Sequence, residues 1–291
     1  MTKPLGTLVT VESLKTEDDA FELVQAAWNA ADFAACHRSN FPVGSAVLAY
    51  KENVGFQIFS GCNVENRFFP ATICAERNAV TTAIARGYNS ILKVAIACKK
   101  IPGGNSCGLC RQVLTEWGLD AVVYNVVDSD LNVRRFQVKD LLPAAPGPVR
   151  NYPGLEKAER TLIRKLLDRK RHCHTPYSGQ VATAVFSACN EGGRRRNFYG
   201  VTDDNASYGG STSAEVAAMT AARSNGYVYD ARLMVNCGTD LKGPNPLDGE
   251  SLQKLREFGP NVPTTLVNDC GDTVYTSLAE LLPDSFGPDS L

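Results

Sequence analysis

The chain has 291 residues, 44% of them apolar, and a net charge of −1. That length allows about two domains, each large enough to bury a core. The near-neutral charge excludes a dominant electrostatic grip on nucleic acid, and no apolar run approaches the roughly 20 residues that span a bilayer, so neither nucleic acid nor membrane is an expected partner.

The chain carries ten cysteines. In a chain this long, opening on polar and acidic sequence rather than a secretory signal, free thiols in a reducing, cytoplasmic setting are expected, not a disulfide scaffold. Cys36, Cys62, Cys98, Cys189 and Cys237 sit among small or apolar residues and read as buried thiols.

Residues 1–15 show no periodicity and read as an irregular arm. A helix is expected from near Thr16, with Glu17, Asp18 and Asp19 at its positive end. Phe21, Val24, Trp28 and Ala31 follow at helical spacing and mark its core face. Phe41-Pro42-Val43-Gly44 leads into a strand over 46–50, and a second strand covers 56–60. Asn63 and Glu65 come next at alternate positions, which on extended backbone share one face. An amide and a carboxylate there suit a sugar hydroxyl held from two sides; a solvated strand end is the alternative.

Cys74 opens a helix to about Gly87, with Ala79, Val80, Ala83 and Ile84 on its apolar face. A strand over 93–98 and a loop through Gly103 and Gly104 bring the chain to Cys107 and Cys110, where another helix begins and carries Val113, Leu114 and Trp117. A strand over 121–127 follows, and Leu141-Leu142-Pro143 closes the first unit. The boundaries read as a first domain over 1–146, a Pro/Gly-rich linker over 147–154 and a second domain over 155–291.

Cys74, Cys107 and Cys110 together offer three soft ligands. Three such ligands suit Zn²⁺, and a catalytic zinc keeps its fourth position for water, whose pKa it lowers towards neutrality. A thiol at a helix N-terminus ionises more readily, which favours the thiolate that zinc needs. Glu76, two residues beyond Cys74, lies close to the site but is poorly placed to chelate, which leaves it free to move protons.

The ordered set Phe41-Pro42-Val43-Gly44, Gly61-Cys62-Asn63-Val64-Glu65-Asn66, Ile73-Cys74-Ala75-Glu76-Arg77 and Cys107-Gly108-Leu109-Cys110-Arg111-Gln112 resembles the cytidine deaminase family from about residue 18 to residue 143. Zinc deaminases use such a three-ligand site with a glutamate that is not a ligand. The resemblance implies tandem three-layer α/β/α domains, each with a mixed sheet of about five strands, and hydrolytic deamination of cytidine and 2′-deoxycytidine in pyrimidine salvage. It implies that Glu76 is catalytic and that Cys74, Cys107 and Cys110 hold zinc. Phe41 would lie near the pyrimidine, Asn63 and Glu65 would hold the ribose, and the Ala75 N–H would meet the pyrimidine carbonyl. Arg77 would offset the charge of three thiolates. Where the family has Pro before the first cysteine of the second motif, this chain has Ser106. Its carbonyl can still meet the exocyclic amine, but the fixed φ of Pro is lost. Another cytosine-bearing substrate (a nucleoside antibiotic or RNA), a non-catalytic zinc module and a regulatory pseudoenzyme stay open as alternatives.

The second half repeats the first. Segment 61–77 aligns without a gap on 200–216, placing Glu215 opposite Glu76 and Asn205 opposite Asn66, and Leu281-Leu282-Pro283 answers Leu141-Leu142-Pro143. The ligands are gone: Ser213 faces Cys74, and with two inserted residues Asp248 and Ser251 face Cys107 and Cys110. Asn63, Glu65 and Arg77 become Thr202, Asp204 and Val216. This copy is therefore expected to be degenerate and metal-free. By resemblance, two chains would pair as a homodimer, a pseudo-tetramer of domains. The Phe of the segment after Leu282-Pro283 would reach a substrate pocket, which makes Phe286 a candidate for the first copy's pocket, in cis or across the dimer. The equivalent place in the first half is Pro146. Arg194-Arg195-Arg196 reads as a hairpin tip and Arg169-Lys170-Arg171 as the end of a helix over 155–172. Both are expected to be solvated surface, and His37, His172 and His174 occupy no metal position.

Overall fold

The computed structural model describes residues 6–143, 157–237, 244, 246–269 and 272–288. The chain separates into two compact units: Met1–Leu142 together with Pro283–Leu291, and Pro143–Leu282. The expected linker at 147–154, with Pro146 before it, lies outside the described residues.

The first unit runs β1 (Thr7–Val9), α1 (Val11–Leu14), α2 (Ala20–Ala30), β2 (Val43–Lys51), β3 (Gly55–Cys62), α3 (Ala75–Ala85), β4 (Ser90–Cys98), α4 (Gly108–Gly118), β5 (Val122–Val126), β6 (Val133–Gln137) and α5 (Val138–Leu141). Its sheet has the order β1-β6-β5-β4-β2-β3, with β4 and β5 parallel and every other pair antiparallel. The parallel pair needs a crossover, which α4 supplies.

Period-two alternation divides the apolar residues between two faces. Ala46, Leu48, Ala95, Ala97, Tyr124 and Val126 pack against α2 through Leu23, Val24 and Ala27. Val47, Ala49, Val94, Ile96 and Val123 pack against α3 and α4 through Ala79, Val80, Ala83 and Leu114. The result is three layers, α/β/α. The expected helix near Thr16 starts instead at Ala20, after Asp19 turns the chain at φ 57°. Phe21 and Trp28 are only partly buried on its core face. Residues 7–9 are not irregular: they pair with β6 from Thr7↔Arg135 to Val9↔Val133 as a sixth, edge strand, and Leu14 is fully buried behind it. Three residues of edge strand are too few for alternation to show in a sequence.

The second unit repeats this plan with α6 (Lys157–Arg169), β7 (Ala182–Cys189), β8 (Arg195–Val201), α7 (Ala214–Ser224), β9 (Tyr229–Cys237), α8 (Gly249–Leu255), β10 (Pro263–Val267), β11 (Thr273–Ser277) and α9 (Leu278–Leu281). Its sheet order is β11-β10-β9-β7-β8, and again only the β9–β10 pair is parallel among the described strands. The repeat extends to single contacts. A Cβ on Gly61 would meet Ala79 N at 2.5 Å, and one on Gly200 would meet Ala218 N at 2.6 Å, so in both units strand and helix approach as only glycine permits. Phe59 packs edge-on against Tyr88, and Phe198 packs tilted against Tyr227, with ring centroids 4.9 and 5.1 Å apart.

Among the described cysteines none forms a disulfide. Cys36 and Cys98 are buried as expected, but Cys62 and Cys189 are only partly so. Both are the last residues of their strands. The Cys237 side chain lies outside the described residues. The basic clusters are partnered: Arg195 pairs with Asp230, Lys170 with Asp269, and Arg171 with Asp168 at 3.4 Å. Among the described residues no helix is long and apolar enough to cross a membrane.

Candidate metal and substrate site

Two helices of the first unit begin at one point. Cys74 is the N-cap of α3 and Cys107 the N-cap of α4, both with extended backbone (φ −73° and −69°) and neither making a side-chain cap hydrogen bond. Cys110 sits in the first turn of α4. The Cys74 and Cys107 sulfurs are 3.9 Å apart, those of Cys107 and Cys110 3.3 Å, and all three lie within 4.8 Å of one another. Tetrahedral Zn–S bonds of about 2.3 Å require sulfurs about 3.8 Å apart, and the cluster brackets that spacing.

Electrostatics point the same way. Hydrogen bonds shared with Cys110 and Cys74 push the Cys107 thiol down and that of Cys110 up, and the Cys107 contact pushes Cys74 up to about 11. Three thiols this close cannot all ionise without a cation among them. The donor set therefore fits zinc. It is the one such group of metal-binding side chains among the described residues.

Glu76 is 4% exposed, in the first turn of α3, and burial pushes its carboxyl up. The Arg77 Nη2 donates to the Thr72 carbonyl at 2.8 Å and lies 3.9 Å from the Cys74 sulfur, close enough to offset thiolate charge. A cavity of about 170 Å³ opens beside the thiols. Its walls include Phe41, Asn63, Glu65, Ala75, Glu76, Asn105 and Phe286. Phe286 belongs to the tail that clusters with the first unit, and its ring meets that of Phe41 edge-on, centroids 5.9 Å apart.

Asn63 and Glu65 do line this cavity, but each also holds backbone. The Asn63 amide accepts from Val43 N and donates to the Phe41 carbonyl, both at 2.9 Å. The Glu65 carboxylate accepts from Arg38 N, Ser39 N and the Ser39 hydroxyl, and the Ser39 bond holds its pKa below the usual range. Asn63 thus braces the segment that carries Phe41, and Glu65 ties down the preceding turn. The pairing with Ser39 and the bracing of Phe41 carry no signal in the sequence, because they join residues far apart along the chain.

Arg111 is fully buried, and burial pushes its guanidinium down to about 10, so it stays charged at neutral pH. It stands in the second cysteine motif, but sequence reasoning assigned it no role. Its Nε, Nη1 and Nη2 each donate to backbone carbonyls.

A three-layer α/β/α domain with three thiols and a buried glutamate at paired helix N-termini defines a zinc-binding hydrolase site. The family described as "Cytidine and deoxycytidylate deaminase zinc-binding region" matches residues 17–126. The chain is 36% identical over 128 residues to a probable cytidine deaminase of Dictyostelium discoideum, covering 44% of this chain and 83% of that protein. It is 34% identical over 105 residues to a cytidine deaminase of Mycoplasma genitalium (36% and 77% covered) and 32% identical over 127 residues to one of Sporosarcina psychrophila (44% and 90%). The chain belongs to the zinc-dependent cytidine deaminase family, with one cysteine triad among its described residues and a second, degenerate copy of the domain.

Proposed function

We propose that the first unit deaminates cytidine and 2′-deoxycytidine to uridine and 2′-deoxyuridine, with water as co-substrate and ammonia as second product, in cytoplasmic pyrimidine salvage. The observation that carries this reading is the buried Glu76 beside three convergent thiols in an aromatic-walled cavity. Cys74, Cys107 and Cys110 would hold zinc, which when bound would make a water acidic enough to act as a nucleophile at neutral pH. Glu76 takes a proton from the attacking water, gives it to N3 of the pyrimidine, and then helps the amine leave from C4. Burial supports that role, since it pushes the carboxyl up and so makes it a better proton acceptor than an ordinary exposed carboxylate.

The Ala75 N–H, at the start of α3, donates to the pyrimidine carbonyl, and Phe41 and Phe286 enclose the base. Asn63 and Glu65 hold the ribose with the capacity their backbone bonds leave over: the amide has two N–H groups and the carboxylate about four lone pairs. Arg77 offsets the thiolate charge. Two chains form a homodimer, a reading that sedimentation equilibrium tests.

The deciding experiment is cytidine conversion followed by ultraviolet absorbance, with metal analysis of the same sample. Turnover with about one zinc per chain is the expected result. A chain that holds zinc yet leaves both nucleosides unchanged sinks the substrate assignment.

A further inference from the structure

Arg111 lies in α4, one residue beyond Cys110, with no exposed surface. A buried cation is usually met by a carboxylate. This one is met by four backbone carbonyls from three separate segments. Nε donates to Ser106 O at 2.9 Å, Nη1 to Leu141 O at 2.7 Å and to Pro283 O at 2.6 Å, and Nη2 to Asp284 O at 2.9 Å. A guanidinium carries five N–H donors in a rigid fork, so these bonds use most of what it has.

The Ser106 carbonyl belongs to the loop that enters the pocket wall at Asn105 and Cys107. Pro283 and Asp284 begin the tail that carries Phe286 into that wall two residues on. Asn105 joins the two: its Nδ2 donates to the Asp284 carbonyl at 3.0 Å, and its Oδ1 accepts from Asn125 at 2.9 Å. Asp284 itself adopts φ 49°, a left-handed conformation that Asp tolerates better than most residues.

The duplication provides an internal control. The register that sets Ser251 opposite Cys110 sets Leu252 opposite Arg111, and Leu252 is buried. The helix and its packing thus form in the second unit without a guanidinium. In the first unit the guanidinium has a loop and a tail to hold.

We propose that Arg111 is a positioning residue, which ties the Ser106 carbonyl and the 283–284 backbone to one fork and so sets the loop 104–107 and the Phe286 wall of the pocket. It acts through those groups and touches no substrate. The fork also supplies the rigidity that Ser106 gives up by not being proline. The effect on turnover rests on the nucleoside reading above; the effect on the tail does not.

The test uses the full-length, zinc-loaded chain and the variants Arg111→Leu (the second unit's own residue), Arg111→Lys, Asn105→Ala, Phe286→Ala and Arg111→Leu/Phe286→Ala. Backbone hydrogen exchange of 283–288 is measured without substrate, and KM and kcat are measured with cytidine. Arg111→Leu is expected to speed exchange of the tail about ten-fold or more. It should also raise KM about ten-fold with kcat within about three-fold and zinc content unchanged. Arg111→Lys falls between, because a point charge cannot span three segments, and Asn105→Ala shows a smaller effect in the same direction. Phe286→Ala added to Arg111→Leu should bring little further loss, since both act through one wall. Unchanged tail exchange, loss of zinc, or independent effects of Arg111→Leu and Phe286→Ala on KM would overturn the proposal. Should Arg111→Leu not accumulate as folded protein, Arg111→Lys and Asn105→Ala decide by the same criteria. Faster tail exchange in a protein whose parent does not deaminate cytidine would uphold the clamp and reject the substrate.

Discussion

The same two helix N-termini occur twice in this chain and are used in opposite ways. In the first unit the N-caps of α3 and α4 are Cys74 and Cys107, which make no cap hydrogen bond. In the second the N-caps of α7 and α8 are Ser213 and Asp248, whose side chains accept from Val216 N and Ser251 N. Ser and Asp are preferred N-caps, and each cap is worth about 1 kcal/mol. The Ser251 hydroxyl lies 2.8 Å from that of Ser213 and donates to Asp248 at 2.9 Å, with Glu215 at 3.5 Å. Where one unit gathers three thiols that cannot ionise together without a cation, the other has a set of oxygens that satisfy one another. Replacing the ligands thus left two well-capped helices whose polar side chains satisfy one another. The corresponding depression is wider, about 430 Å³, and is walled by Tyr177, Tyr208 and Asp204.

The sharpest break in the comparison is at the paired glutamates. Glu76→Gln is expected to cut kcat by about 1,000-fold or more while zinc content holds; Glu215→Gln should leave cytidine turnover within about two-fold. Normal turnover by the first variant would remove Glu76 from the mechanism.

Exchanging ligands between the units comes next. Cys74→Ser, which copies Ser213, should lower zinc from about one per chain to a small fraction of that. The reciprocal triple change Ser213→Cys, Asp248→Cys and Ser251→Cys should raise it to about two, since those three side chains already converge. Elemental analysis of dialysed protein reads both, and a triple variant still at one zinc would mean that the second unit has lost the geometry as well as the ligands.

The pH dependence of the second unit provides a smaller effect. Burial pushes Glu215 from 4.5 up to about 7. The unfolded chain releases this proton near pH 4.5 and the folded chain near 7. Stability from this group is therefore greatest below about pH 4.5 and is lost as the pH rises through 7, by about 3 kcal/mol at most. Glu215→Gln should flatten that part of the profile in denaturant titrations between pH 4.5 and 7.5, and an unchanged slope would show that Glu215 is charged in the folded state. Smallest of all, Ser213→Ala should cost about 1 kcal/mol by losing the cap, again read in denaturant.

Much of the site was legible because its chemistry is concentrated in short segments. Cys74 to Arg77 and Cys107 to Cys110 each fit within about one helical turn, so spacing alone puts their side chains near a helix N-terminus. The duplication was equally plain, since 61–77 and 200–216 align without a gap and their structures repeat down to the Phe59–Tyr88 and Phe198–Tyr227 pairs. Other features had no such local signature. The edge strand β1 is three residues long. The expected start at Thr16 overran an Asp19 in left-handed conformation, which nothing in the acidic run disclosed.

The amino-acid sequence by itself determined the three thiols, the carboxyl placed beside them, the period-two strands and the loss of ligands in the second copy, because each is a matter of residue type at short, regular spacing. Only the tertiary structure decided that Asn63 braces the Phe41 backbone, that Glu65 ties down the turn at Ser39, and that a tail starting at Pro283 meets Arg111, which lies far back in the chain. Those contacts join a side chain to a backbone carbonyl or, at Ser39, to a hydroxyl far along the chain, so residue identity could not announce them; folding had to bring them within reach.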